Sequence, residues 1–224
     1  MGRGLARRIG VQSTAVSSKM RRRTHLIPRV NMSLFGASGG LRAPQKIRIK
    51  GERLSEILAA HGNFVRGGDG GVRAQLGGAD LSRADLGKAN LTYADLQGAN
   101  LEGANLREAK LGSADLSKAN LKGADLRKAD LTECHLNGAD LTQAQAGGAE
   151  FFRASLAQAI LCRGDFVAAN FRDADVHGAN FDGALLRTAI LRETKLDGVD
   201  LSRAEGLDTA LMPRGYSPAG AAKS

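Results

Sequence analysis

A chain of 224 residues with 42% hydrophobic but only 4% aromatic residues, no tryptophan and four prolines must build its core from small and medium side chains. Its net charge of +9 is unevenly placed: residues 1–71 hold 14 Lys/Arg against three acids (Glu52, Glu56, Asp69), whereas residues 72–205 hold 16 Lys/Arg against 19 acids, a net −3. A body-wide basic surface for nucleic acid is thereby excluded, the absence of any long apolar run excludes a membrane-spanning helix, and two cysteines, Cys134 and Cys162, exclude a disulfide-rich secreted scaffold.

Residues 1–50 carry twelve Lys/Arg and no acid, with Ser13, Ser17, Ser18 and the cluster Arg21-Arg22-Arg23. That composition matches a mitochondrial or chloroplast transit peptide, and equally a disordered basic extension read from a start upstream of Met32. No apolar core follows the charges, so a secretory signal is not expected. Residues 51–73 come next. Leu54, Ile57 and Leu58 fall at i, i+3, i+4, which predicts a short amphipathic helix over residues 51–61, followed by Phe64, Val65 and the loop Gly67-Gly68-Asp69-Gly70-Gly71.

From Leu76 a five-residue register begins and runs to Leu201 without insertion or deletion. Of its 26 central positions 20 are Leu, four are Phe (Phe151, Phe166, Phe171, Phe181), one is Val176 and one is Ala146. Two residues before each centre stands Ala in 22 cases, the exceptions being Cys134, Gly164, Thr194 and Val199, and the residue between is Asp or Asn in 16. A helix scatters such leucines around its axis, because five residues turn it by roughly 500°. A straight strand sends consecutive leucines to opposite faces. The pattern works only if the chain turns a corner once per repeat, with Leu and the preceding Ala inside and the other three positions outside.

Units such as Ala99-Asn100-Leu101-Glu102-Gly103 and Ala179-Asn180-Phe181-Asp182-Gly183 resemble the pentapeptide-repeat family. The resemblance implies an all-β fold: a right-handed quadrilateral parallel β-helix over residues 74–203, one pentapeptide per side, with the short helix of residues 51–73 as an N-terminal cap. Twenty-six units then make six and a half coils, a rod about 30 Å long at the usual strand spacing. Stacking by twenty residues sets Ala146 between Leu126 and Phe166, and Phe151 under Phe171, small beside large. The stretch Leu54 to Leu76, with His61, Gly70-Gly71 and Arg73-Ala74, is similar to the segment preceding the repeats in bacterial members of the family. A bacterial cytoplasmic protein is therefore expected, with import into a chloroplast or mitochondrion as the alternative. Beyond Gly206 the register lapses; Leu207, Leu211 and Met212 are expected over the last coil, and the rest of residues 204–224 as a tail.

No reactive constellation rises above this regularity. Cys134 and His135 are adjacent, but Cys134 takes an inner position and His135 an outer one between Asp115 and Ser155; His177 lies two coils away, roughly 10 Å, too far to share an ion. The Asp/Asn row (Asp80, Asp85, Asp95, Asp115) and the Ser/Thr row (Ser82, Thr92, Ser117, Thr132, Thr142, Ser202) recur with the turn and read as corner hydrogen bonding. Residues 67–71 lack the Lys-Ser/Thr of a phosphate loop. His61 reads as a packing histidine. No catalytic residue, metal, cofactor or small-molecule ligand is expected, and no nucleic acid.

Some outward positions in the C-terminal half are apolar, among them Phe152, Ile160, Val167, Leu185 and Ile190, and these are a candidate surface for a protein partner or a second copy. Stacked arginines, Arg107 with Arg127 and Arg172 with Arg192, read as solvated ladders. The function expected is a non-enzymatic scaffold or protein-interaction module. The alternative is a DNA-mimicking regulator of a type II topoisomerase, like the quinolone-resistance branch of the family; a body charge of −3 speaks against it, since duplex DNA carries one charge per about 1.7 Å.

Overall fold

A computed structural model describes residues 40–216. The targeting reading of the basic segment falls on residues that, up to 39, lie outside the described ones, as do the last eight residues of the tail.

Buried backbone must find partners for its N–H groups, and one pentapeptide, residues 100–104, shows how this chain does so. Asn100 N–H donates back one coil to Ala79 at 2.9 Å, while Leu101 and Gly103 donate forward one coil, to Asn120 at 2.7 Å and Lys122 at 2.9 Å. Ala104 closes the corner by donating to Leu101 at 3.0 Å. The fifth N–H, of Glu102, goes to the Asn100 side chain at 3.2 Å. The parallel bridges step by twenty along the rod, from Gln75↔Asp95 to Leu185↔Glu205, so four pentapeptides complete one coil.

Each corner has the hydrogen bond of a type II turn and the left-handed residue such a turn demands. At 25 successive corners, from Gly78 to Gly198, that residue has φ between 54° and 68°. Nine of them are glycine, which accounts for the Gly ending so many repeats, and the other sixteen each accept a cost of about 1–2 kcal/mol. The coil's hydrogen bonds and apolar filling outweigh it.

The Asp/Asn row has the role its repetition suggested. In every one of the 16 cases the side-chain Oδ1 accepts the N–H two residues on, the donor that the coil leaves over; examples are Ser82 to Asp80, Thr132 to Asp130, Val167 to Asp165 and Asp182 to Asn180. Amide ladders add to this between coils, as where Asn120 donates to Asn100 and Asn100 to Asp80. Asn180→Ala is expected to lower stability by about 1 kcal/mol, which a thermal melt would register as roughly 2–4 °C. Asn180→Asp, which keeps the acceptor, should melt close to the parent.

From Leu76 to Leu191 every central residue is at most 1% exposed. Phe151 and Phe171 stack face to face, 4.7 Å apart with their planes 2° from parallel, as twenty-residue stacking requires. Phe166 meets Phe171 and Phe181 at 5.6 Å and 6.4 Å. Gly164 explains itself here. It stands in the alanine row, where a Cβ would lie 2.5 Å from Phe166 Cε2, so the larger ring is housed by removing a methyl group from its own pentapeptide.

At the N-terminal side the structure adds what composition concealed. Residues 42–50, counted with the basic segment by their charge, lie against the rod. Arg42 pairs with Ala84 as a parallel strand would, accepting from Asp85 N–H at 2.9 Å and donating to Arg83 at 2.7 Å. After a 3-10 turn at Pro44–Lys46, Ile47 is 1% exposed inside the core. A hairpin of β1 (Arg48–Ile49) and β2 (Glu52–Arg53) turns through Lys50 and Gly51, both with positive φ. Helix α1 (Leu54–Val65) follows, its first turn steadied by Glu56 accepting the Arg53 N–H. It outruns the expected end at residue 61 because nothing stops it before Gly67, whose left-handed φ of 68° lets Gly67 and Gly68 donate to Phe64 and Asn63. Leu54 is fully buried, and Ile57 and Leu58 pack on the core.

At the other end Leu207 and Met212 pack on the core as expected, but Leu211 does not. It pairs with Ile190 across a step of 21 residues instead of twenty and is 43% exposed. One added residue moves a strand side chain to the opposite face.

Candidate interaction surface

The rod offers flat rows of side chains, and those rows set what chemistry is open to it. Among the described residues no group of three His, Cys, Asp or Glu stands where it would hold a metal ion. Cys134 is buried, its thiol pushed up by desolvation and donating to the Ala114 carbonyl at 3.1 Å. His135 does follow Asp115 and precede Ser155 in its column. The Ser155 hydroxyl, however, donates to Asn137 at 2.7 Å, and Asn137 also accepts the Ala157 N–H. Asn137 thus does for its neighbouring coil what an Asp/Asn would do locally, a role that no pattern within one repeat announces.

The apolar residues of the candidate surface lie on three sides of the coil. Leu185 stacks on Asp165, in the pentapeptide that carries Val167. Ile190 stacks between Asn170 and Leu211. Ile160 lies between Asp140 and Asn180 and is 38% exposed. Phe152 shares a side with Ile190 but is roofed by guanidinium groups, Arg153 at 4.8 Å and Arg172 at 6.0 Å from its ring. Val167 and Leu185 therefore share one side of the coil, and Ile190 pairs with Leu211 on another, the last a residue expected over the last coil.

Position gives these aliphatics their meaning. Ile160, Leu185 and Ile190 stand where sixteen of the 26 repeats have Asp or Asn and seven more have another polar residue, so Cys162, Arg187 and Arg192 find no side-chain acceptor at the place where sixteen other N–H groups do. The arginine ladders are more ordinary: Arg107 meets Glu108 at 3.6 Å, Arg127 pairs with Asp125 at 2.5 Å, and Arg172 with Glu193 at 3.1 Å. Exposed pairs of this kind add little to stability.

A coil of stacked pentapeptides joined by a parallel ladder defines a repeat protein. The family model for pentapeptide repeats (8 copies) matches residues 72–107, 104–143, 149–187 and 169–205, and the chain belongs to that family. Among solved structures it is similar to HetL, a pentapeptide repeat protein involved in heterocyst differentiation regulation in the cyanobacterium Nostoc sp. strain PCC 7120, at 38% identity over 65% of this chain and 73% of that one, TM-score 0.32. A pentapeptide repeat protein of the Arabidopsis thaliana thylakoid lumen matches at 31% identity over 45% of this chain and 67% of that one, TM-score 0.26. The plasmid-mediated fluoroquinolone resistance protein QnrB1 matches at 18% identity over 65% and 86%, TM-score 0.47. No curated protein sequence matches it. No helix among the described residues is long and apolar enough to cross a membrane.

Proposed function

We infer that the chain is a non-enzymatic scaffold, a right-handed four-sided rod capped at one end by α1, whose C-terminal half binds a protein partner or a second copy of itself. One observation carries the reading. At Ile160, Leu185 and Ile190 the acceptor that serves the backbone in sixteen other repeats is replaced by an outward-facing aliphatic. Giving up such a hydrogen bond costs about 1 kcal/mol each time, and a docking partner that covers the aliphatic offsets it. The residues that would otherwise suggest chemistry are engaged with the backbone, as the Asp/Asn row is.

Val167→Glu/Leu185→Glu tests it. Both side chains are half-buried on the outer surface, so the double variant should melt with the parent while losing a bound partner in pulldown, or its larger species in light scattering. Unchanged association in both measurements removes this side of the rod from consideration. A topoisomerase regulator that replaces DNA would need roughly 18 charges over a rod of about 30 Å at the spacing of duplex phosphates, against a net −3 here. Inhibition of gyrase supercoiling by the purified protein would reverse that order of preference.

A further inference from the structure

Among the described residues one buried side-chain nitrogen or oxygen has no hydrogen-bond partner: His61 Nε2. The ring is 0% exposed and stacks on Phe64 at 5.7 Å. Its other nitrogen, Nδ1, accepts the N–H of Ala74 at 3.1 Å. Ala74 is the first inner residue of the rod, so this bond joins α1 directly to the coil, beside a backbone bond from Val72 N–H to the Ala60 carbonyl at 3.2 Å. A nitrogen that accepts carries no proton, which assigns the neutral tautomer with hydrogen on Nε2.

The surroundings oppose a charged ring. Burial is the largest influence and holds the imidazole below its ordinary range; the Thr92 carbonyl of the first coil favours a proton, and Arg73, in the loop, repels one. Arg73 is itself held in place, its Nε donating to the Tyr93 carbonyl at 2.5 Å. From α1 the ring meets the uncharged face of Phe64.

We propose that His61 is a pH-operated latch: neutral, it fastens α1 to the first coil through Ala74, and protonated, it releases the helix from the rod. A proton on Nδ1 sets N–H against the N–H of Ala74 and leaves a buried cation beside Arg73 with no counter-ion, both strongly unfavourable. Release exposes Leu54 and the first coil's strand edge, a surface on which another extended chain can pair. The sign is fixed by the lowered value. The undocked helix binds the proton more readily, so the docked state is fully stabilised above the ordinary histidine value of 6.5 and loses that stabilisation as pH falls from there through the docked value.

Hydrogen exchange of the whole protein, read as protection factors corrected for the intrinsic effect of pH, tests the latch between pH 7.5 and 5.0. Protection of residues 54–74 should fall by up to tenfold per pH unit below about 6, while residues 101–121 in the middle of the rod stay constant. His61→Asn, which keeps an acceptor for Ala74, and His61→Phe, which keeps the ring, should each abolish the slope; either suffices if the other does not fold. Constant protection across the range in the parent, or the parent's slope surviving in a folded variant, overturns the proposal.

Discussion

Leu121→Lys is expected to abolish soluble expression or to collapse the cooperative melting transition. Leu121 is 0% exposed at mid-rod, with Leu101 and Leu141 below and above it, equally buried. Losing the leucine's packing alone costs about 2–5 kcal/mol, and a buried ammonium without a counter-ion costs several more. The sum matches the entire stability of an ordinary domain, about 5–15 kcal/mol. Its position worsens the effect, because a coil touches only its neighbours and a defect in the middle separates two halves that must each hold alone. A Leu121→Lys protein that melts with the parent in circular dichroism would contradict the inward leucine row, and Leu121→Met serves as the control that should fold.

The second expected result runs against the repeat's own consensus. Gly164→Ala restores the alanine found in 22 of 26 repeats, yet it should destabilise by about 1–3 kcal/mol, the usual range for an overpacked core. The new methyl group would sit 2.5 Å from Phe166 Cε2 and 2.9 Å from its Cζ, against a ring enclosed by Phe151, Phe171 and Phe181. Combining Gly164→Ala with Phe166→Leu, the ordinary pair of the family pattern, should recover most of the loss. Denaturant melts of the two single variants and the double supply the cycle, and additive losses would sink the coupling of Gly164 to Phe166.

How far these features could be read in advance differs by region, for physical reasons. The coil was legible because a five-residue period with two inward positions admits neither helix nor straight strand. The glycine at 164 was visible as an exception, and a phenylalanine two residues later was the signal for its cause. Residues 42–50 were not legible: Arg42 pairs with the coil through its backbone, which leaves no trace in side-chain pattern, and its charge grouped it with the segment before it. Leu211 misled for a related reason. An aliphatic just past the repeats reads as cover for the last coil, and the step of 21 residues to Ile190 turns it outward without changing the local composition. At the candidate surface the aliphatics could be named from sequence, but the loss of a backbone acceptor at Ile160, Leu185 and Ile190 became meaningful only once sixteen Asp/Asn side chains were seen accepting the same N–H. His61 was foreseen as a packing residue facing the core. Its two nitrogens, one engaged and one bare, were not.

The coil-to-coil hydrogen bonds also decide how this molecule answers force. They run from each coil to the next, and among the described residues none spans more than one interface, so tension applied along the rod loads the interfaces in series and the weakest opens first. Each opening frees one coil of twenty residues, roughly 70 Å of extended chain, while the remaining coils keep their shape. A rod made this way lengthens in fixed steps and leaves the side-chain rows on its intact coils unchanged.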